Sequence, residues 1–495
     1  MPFQSLFQYF SKASTKKILV FIILGQFLLH LPLFSLAPMG QHTWRQVDGH
    51  AQARNYYEEG ADFFHPRLDI RVGAEDQGII YKEFPLIYWL IGQSYKLTGF
   101  QEVNARFGQF LAAILLLLGA FHLARELGAD PTRQKWFLFF FAGAPYFFYY
   151  SISLLPDISG MGWFLWGLAF LLPYLRRKQQ PLKLIFGIIF ITLACLTKAT
   201  WLFFGLVIAV LFIESYLRDR DSKILLIGIC GGAVILATFY LQYQHQVHLA
   251  ALAPWERANE TVLAPGLNFP DDWRDTLNII HHAIGTWFLQ IYVNLAAVPM
   301  FFAGCWVAYK KRIYLKSENG RFWLAWFTSL FLFFIFFFIN FHHDGGYYMT
   351  PALPLAAWIS SYGVSVKWQQ PNWRRVIIIF SCLLPFVMVY RMEARWNENK
   401  QVAIELLEQA DEFAQFIPKD DQILVQGEHD YVVHLYFIRR KGTPIPMNLS
   451  QEKLEYYKNK GISWLVFFTE DEGEPQLKDS LIFQGAVGRF QIYRF

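Results

Sequence analysis

Charge is scarce in this chain of 495 residues: 17% are Asp, Glu, Lys or Arg, against 54% hydrophobic and 19% aromatic, with a mean hydropathy of +0.25. Such a balance excludes an ordinary soluble enzyme, and the length excludes a single helical hairpin. Cysteine is nearly as sparse. Cys195, Cys230, Cys305 and Cys382 all lie inside apolar runs without CxxC spacing, which argues against a disulfide framework or a thiolate metal site and leaves small buried hydrophobes. No internal repeat or low-complexity tract stands out, so a repeat solenoid and a disordered tail are poor readings. Alternating segments of about ten residues, the mark of a β-barrel, are missing too; the apolar stretches run continuously over about 14 to 23 residues. What remains is a polytopic α-helical membrane protein.

A formal net charge of +5 does not point to nucleic acid, because the Lys and Arg stand in short clusters between apolar spans, a pattern that reports topology. Apolar stretches fall near 18 to 38, 105 to 124, 135 to 151, 158 to 175, 183 to 197, 201 to 217, 223 to 243, 286 to 309, 321 to 341, 347 to 366 and 374 to 391, about eleven transmembrane helices in all. The stretch from Pro85 to Phe100 contains Gly92, Gln93, Ser94 and Lys96 and is short for a crossing of about 20 residues, so it is expected as a helix lying in the interface. With a cytoplasmic N-terminus, every dense basic cluster falls inside, including Arg176-Arg177-Lys178 and Lys310-Lys311-Arg312. Lys12, Lys16 and Lys17 before the first run have the look of a signal sequence, with Ser35-Leu36-Ala37 as its cleavage site. The ten spans that follow favour an uncleaved first helix.

The same topology puts the long loops 39–104 and 244–285 on the outer side. Residues 396–495 share that side and differ in kind: the apolar runs shorten into an amphipathic stretch Val402 to Phe416, strand-like Gln422 to Gln426, a helical pattern Gln451 to Lys460, and strand-like Ile462 to Phe468 and Ser480 to Tyr493. The expected organisation is a transmembrane domain over 1–395 and a small C-terminal α/β domain of about 100 residues, enough for its own core.

Five outward places hold polar groups that a span boundary does not need: Arg45 to Asp48 with His50, Tyr81-Lys82-Glu83-Phe84-Pro85, Pro156-Asp157, Thr197-Lys198, and His342-His343-Asp344 with Tyr347-Tyr348. The first is the most informative. The run from Ile18 to Leu36 empties into Gln41-His42-Thr43-Trp44-Arg45-Gln46-Val47-Asp48, an acid, an Arg, a His and a Trp packed against the end of the first span, as for a reaction site at the bilayer surface. Lys82 and Lys198 are candidate phosphate ligands, since an ammonium beside a phosphodiester stabilises charge building on a leaving oxygen. Tyr347 and Tyr348 offer hydroxyls to phosphate oxygens. Each has a bland alternative: Asp48 and Asp157 as helix N-caps, the lysines snorkelling to the interface, the tyrosines as an aromatic belt.

The pattern Arg45-Gln46-Val47-Asp48, Asn55-Tyr56-Tyr57, Glu83-Phe84-Pro85-Leu86, Arg106, Pro156-Asp157, Lys198, and His343 with Tyr347-Tyr348-Met349-Thr350-Pro351 resembles the bacterial membrane glycosyltransferases of the GT-C fold, the group that includes aminoarabinose transferases and protein O-mannosyltransferases. The likeness runs over roughly residues 15 to 390. It implies a polyprenyl-phosphate sugar donor, a large first outer loop with interface helices, Asp48 as the catalytic acid of that loop, and Asp157 as a second acid near the donor and acceptor. Where the family often has a Lys directly before a Pro pair, this chain has Glu83. The implied reaction is an inverting glycosyl transfer in a bacterial cytoplasmic membrane, to an acceptor that is a lipid, a glycan or a protein. One carboxylate takes the acceptor's proton, while the phosphate leaves as a stable anion without protonation. A divalent metal at His342, His343 and Asp344 with Glu83 or His50 lacks the ligand spacing of a known site, and no cofactor is required. Two rivals stand beside this reading: a transporter or flippase for a lipid-linked sugar, disfavoured by the lack of an inverted repeat, and an envelope-assembly scaffold.

Overall fold

The computed structural model describes residues 12–71, 78–80, 83–177, 180–252, 269–341, 347–398, 402–427, 431–445, 449–468, 475, 477 and 480–495. All eleven apolar stretches carry helix. Among the described residues, eight helical segments are long and apolar enough to cross a membrane: Thr15–Leu33, Glu102–Glu126, Pro156–Arg176, Ala199–Asp219, Ser222–Ala251, Trp273–Lys311, Glu318–Phe336 and Pro371–Ala394.

The other three are shorter, for local reasons. The helix Pro131–Ala142 stops at Gly143, and Pro145 restarts it as the single-turn helix Pro145–Tyr150, proline being tolerated at the first helical position but not further in. Pro181–Thr197 has 17 residues and ends where Lys198 turns extended at φ −154°. Ala352–Lys367 begins only after Pro351 and has 16. The expected interfacial stretch forms a helix, Leu86–Thr98, of 13 residues, about 20 Å long at 1.5 Å per residue, short of the roughly 30 Å hydrocarbon core.

The chain divides into two compact units. One, the membrane unit, takes Met1–Phe34, Arg106–Tyr243 and Leu263–Ala394; the other takes Ser35–Ala105, Gln244–Val262 and Arg395–Phe495 and is called the outer unit only after the side expected for its loops.

The membrane unit is filled with aromatic side chains. Trp326 is fully buried, donates its indole N–H to the Pro351 carbonyl at 2.8 Å, and packs against Phe204 with ring centroids 4.9 Å apart. Without water to drive helices together inside lipid, close approach is set by small residues. Val298–Lys311 and Ala352–Lys367 cross at Gly304 and Gly363, where an added Cβ would stand 2.1 Å from the Ile359 carbonyl oxygen and 2.0 Å from that of Met300.

The outer unit is built on a five-stranded sheet in the order β2-β1-β3-β5-β4, with β1 Ile423–Gly427, β2 Gly442–Pro444, β3 Trp464–Phe468, β4 Ile482–Val487 and β5 Phe490–Arg494. β1 runs parallel to β2 and β3, and β5 antiparallel to β3 and β4. The wholly apolar β3 is buried along its length, as a central strand covered on both faces must be. The expected strand from Ser480 to Tyr493 folds back on itself into β4 and β5 at Gly488, φ +54°. Two elements give no sequence pattern: the helix Tyr431–Ile438, nearly apolar all round, and β2, three residues ending in Pro at the sheet edge, the position proline tolerates. The expected amphipathic stretch Val402 to Phe416 is broken into Ile404–Glu408, a 3-10 turn and Phe413–Phe416. Arg489 ties the β4–β5 turn to it, donating from Nε and Nη2 to Glu405 at 2.7 and 3.0 Å, and these hydrogen bonds hold the Glu405 carboxyl down at about 2.

Part of the first long loop belongs to the same core. Val47, Ala51, Leu68, Ile70 and Ile80 pack with Val425, Val433, Tyr436, Val466 and Ile492. Backbone bonds extend the sheet edge, Gly442 donating to Asp69 at 3.0 Å and Arg71 to Gly442 at 2.7 Å.

Candidate functional site

In the outer unit, the helix Thr43–Glu58 starts after His42, which takes the left-handed conformation at φ +60°. Asp48 is in its second turn, an interior position, so the N-cap alternative does not hold. Val47 and Ala51, each fully buried, fix the helix against the core, and Asp48 is itself 1% exposed. Arg45, one turn earlier, places Nη1 3.7 Å from Asp48 Oδ2 and pairs through Nη2 with Glu83. The guanidinium thus joins the two carboxylates that the sequence singled out. Tyr88 donates to Glu83 at 3.3 Å. On another face of the helix, buried His50 lies 2.8 Å from Glu102, which also accepts the Tyr436 hydroxyl. Burial, and then the Glu102 charge, push the Tyr436 phenol well above its ordinary value.

One turn further, Arg54 and Asp69 form an ion pair with both side chains almost fully buried. Lys441 reaches Asp69 at 2.8 Å, and Asn55 donates to it at 3.2 Å. Burial works to raise the Asp69 carboxyl, but Arg54 and Lys441 outweigh it and hold the group well below the usual carboxylate range.

In the membrane unit, Asp157 follows Pro156 in the first turn of the helix Pro156–Arg177, where a negative charge meets the positive end of the helix dipole. It is not a side-chain-capped terminus: Asp157 pairs with Lys198. Lys198 lies between the helix Pro181–Thr197 and the 3-10 segment Ala199–Phe204, and its extended backbone turns the side chain out of both. Its Nζ is 4.5 Å from the ring centre of Tyr347 and 5.1 Å from that of Tyr348, and those rings lie 4.5 Å apart. Thr350 donates to the Tyr347 carbonyl at 2.5 Å, stands 3.4 Å from Asp157 Oδ1 and shares a hydrogen bond with the buried Tyr146 hydroxyl. Tyr292 stacks on Tyr146 at 4.5 Å.

The structure therefore brings Asp157, Lys198, Tyr347 and Tyr348 into one cluster and Arg45, Asp48 and Glu83 into another. Lys82 and His343 lie outside the described residues. Among those residues, no three His, Cys, Asp or Glu are placed to hold a metal ion. Arg106 is fully buried and donates to the Ile152 carbonyl at 3.1 Å. Sequence reasoning missed Tyr146, Tyr292, Glu102 and Tyr436. It quoted Thr350 in the run ending at Pro351 without a role, although a hydroxyl three residues after Tyr347 was the available signal.

The apolar helices and the five-stranded sheet unit together have the GT-C fold, as in the solved structures that follow. Residues 82–241 match the family model of dolichyl-phosphate-mannose-protein mannosyltransferase. Among solved structures, the chain resembles ArnT from Cupriavidus metallidurans bound to undecaprenyl phosphate, at 11% identity and a TM-score of 0.68 over 97% of this chain and 98% of that one. The apo state of the same protein gives 13% identity and a TM-score of 0.65 over 95% and 97%. An oligosaccharyltransferase from Archaeoglobus fulgidus is similar at 14% identity and a TM-score of 0.55, over 92% of this chain and 70% of that one. No curated protein sequence matches the chain.

Proposed function

We propose that the chain is an inverting glycosyltransferase that moves a sugar from a polyprenyl-phosphate carrier to an acceptor hydroxyl at the outer face of a bacterial cytoplasmic membrane, with the N-terminus inside and the sheet domain outside. The observation that carries the reading is the Lys198 cluster: a 15%-exposed ammonium, flanked by two tyrosines and a buried carboxylate, at the end of a membrane helix. Asp157 already offsets much of the cost of a charge at such a place, and an ammonium with three donors, beside two tyrosines, can take a second anion. The shared fold with ArnT, solved with undecaprenyl phosphate, and the match to a dolichyl-phosphate-mannose-dependent family both support a phosphoryl lipid as that anion.

Chemically, the acceptor oxygen attacks the anomeric carbon from the face opposite the phosphate. The carbon–oxygen bond to phosphate breaks, its electron pair leaves with the polyprenyl phosphate, and the acceptor proton passes to Asp48. Lys198, with the Tyr347 and Tyr348 hydroxyls, stabilises the charge gathering on the leaving oxygen, and Lys82 is assigned to the same anion. Arg45 orients the Asp48 carboxylate, with Glu83 sharing that guanidinium. Asp157 orients Lys198, and His343 is kept as a further residue of the site.

The direct test uses purified protein in sealed vesicles of bacterial envelope extract, which supplies the acceptor, with a labelled polyprenyl-phosphate sugar. Expected is loss of the labelled donor with stoichiometric free polyprenyl phosphate; label crossing the membrane with the donor intact would establish a flippase instead. Lys198→Met is expected to raise the KM for donor roughly ten-fold or more, the effect of losing one charge-assisted contact. Because that change strands buried Asp157, the double variant Lys198→Met, Asp157→Asn separates folding from binding. Donor use restored to the wild-type KM in the double variant would remove Lys198 from the phosphate site.

A further inference from the structure

Within the membrane unit, the helices Val298–Lys311, Glu318–Phe336 and Ala352–Lys367, with Ile313–Lys316 and the start of Pro131–Ala142, enclose a cavity of about 290 Å³. Its walls are mainly apolar, including Ala308, Leu324, Phe327, Leu355 and Ile359. On one side they reach the surface, with Phe327 53% and Leu324 39% exposed.

Among the described residues, a single full charge lines this cavity, that of Arg133. Its guanidinium carbon lies 3.9 Å from the ring centre of Trp358 and 4.8 Å from that of Tyr362. Among the described residues it has no carboxylate partner, and its Nε is buried without a hydrogen bond. The nearest acid in sequence, Asp130, gives its Oδ1 to the backbone amides of Thr132 and Arg133 as the helix cap. The two rings offset part of the desolvation of the cation, but they accept none of its N–H donors in the plane of the guanidinium. A half-buried fork of donors with no anion in direct contact, opening into an apolar slot, is the complement of a phosphate carrying a hydrocarbon chain.

The cavity is separate from the Lys198 cluster. Along Ala352–Lys367 the cluster lies at the Thr350 end, and Tyr362 is twelve residues on, about 18 Å at 1.5 Å per residue. Exposed Lys310, Lys311, Arg312 and Lys316 surround the near end, a density of positive charge that draws acidic headgroups to the surface.

We propose that this cavity holds one anionic glycerophospholipid, with the headgroup phosphate on Arg133 and an acyl chain along Ala308, Leu324 and Phe327. It is a structural lipid site at the basic ends of the helices, independent of the donor. The test is native mass spectrometry of the full chain in neutral detergent, offered phosphatidylglycerol or phosphatidylcholine of identical acyl chains, with thermal unfolding measured in parallel and inorganic phosphate as a third addition. One retained phosphatidylglycerol and a raised melting temperature are expected, with little retention of phosphatidylcholine and no shift from phosphate. Arg133→Gln should cut phosphatidylglycerol retention roughly ten-fold. Ala308→Phe, which fills the slot and keeps the charge, should do the same, and it decides the matter if the Arg133 variant does not fold. Equal retention of the neutral lipid, an equal shift with inorganic phosphate, or undiminished retention in Ala308→Phe would each overturn the proposal.

Discussion

Asp48→Asn is expected to lower the transfer rate by about 100- to 10,000-fold, the range for loss of a general base, with donor binding and folding little changed. The substitution keeps the shape of a side chain held at 1% exposure inside the helix Thr43–Glu58 and keeps an acceptor for Arg45. What it removes is the only group in its cluster assigned to take the acceptor's proton. Initial rates with a labelled polyprenyl-phosphate sugar, beside a binding measurement for the same donor, check this. Transfer within a few-fold of wild type would take the base role from Asp48 and pass attention to Glu83, the other carboxylate on the same guanidinium.

A larger effect on stability is expected at Asp69. Its side chain and that of Arg54 are 1% and 2% exposed, so Asp69→Asn strands a buried guanidinium, a change that costs about 3–5 kcal/mol where one partner of a buried pair is removed. The outer unit should become protease-sensitive at temperatures where the wild type resists. The double variant Asp69→Asn, Arg54→Met should recover much of the loss, since replacing both charges by groups of similar volume is often neutral. The pH dependence has a definite sign. The folded carboxyl lies well below its unfolded value, so its contribution is fully present above about pH 4 and is lost as pH falls toward the depressed folded value. A wild-type acid limb that matches that of Asp69→Asn would show that this pair does not set acid stability.

Much of the membrane part was legible because lipid imposes a simple code: continuous apolar length, helix, and basic ends. That code also located Lys198 and Asp157, since a charge between two greasy runs stands out. It overstated the length of crossing segments where a proline or a polar break divides a run, as at Pro145 and Pro351. In the outer unit, the strands with strong apolar runs were readable and the helix Tyr431–Ile438 was not, because a segment buried all round has no periodicity to read. Most hidden were the partners. That Asp48 shares Arg45 with Glu83 follows from a fold-back of the first loop, and Arg54 meets the Tyr436 carbonyl across 382 residues of chain; no spacing rule links such positions.

That last separation bears on how the protein is made. The helix holding the proposed base leaves the ribosome early, yet the core that covers Val47 and Ala51 is completed only by a helix and strands written at the other end of the message. Until synthesis is complete this core stays open, so a truncated or stalled product is expected to be inert toward lipid-linked sugar, and maturation of the outer unit becomes a late step that follows insertion of the helices.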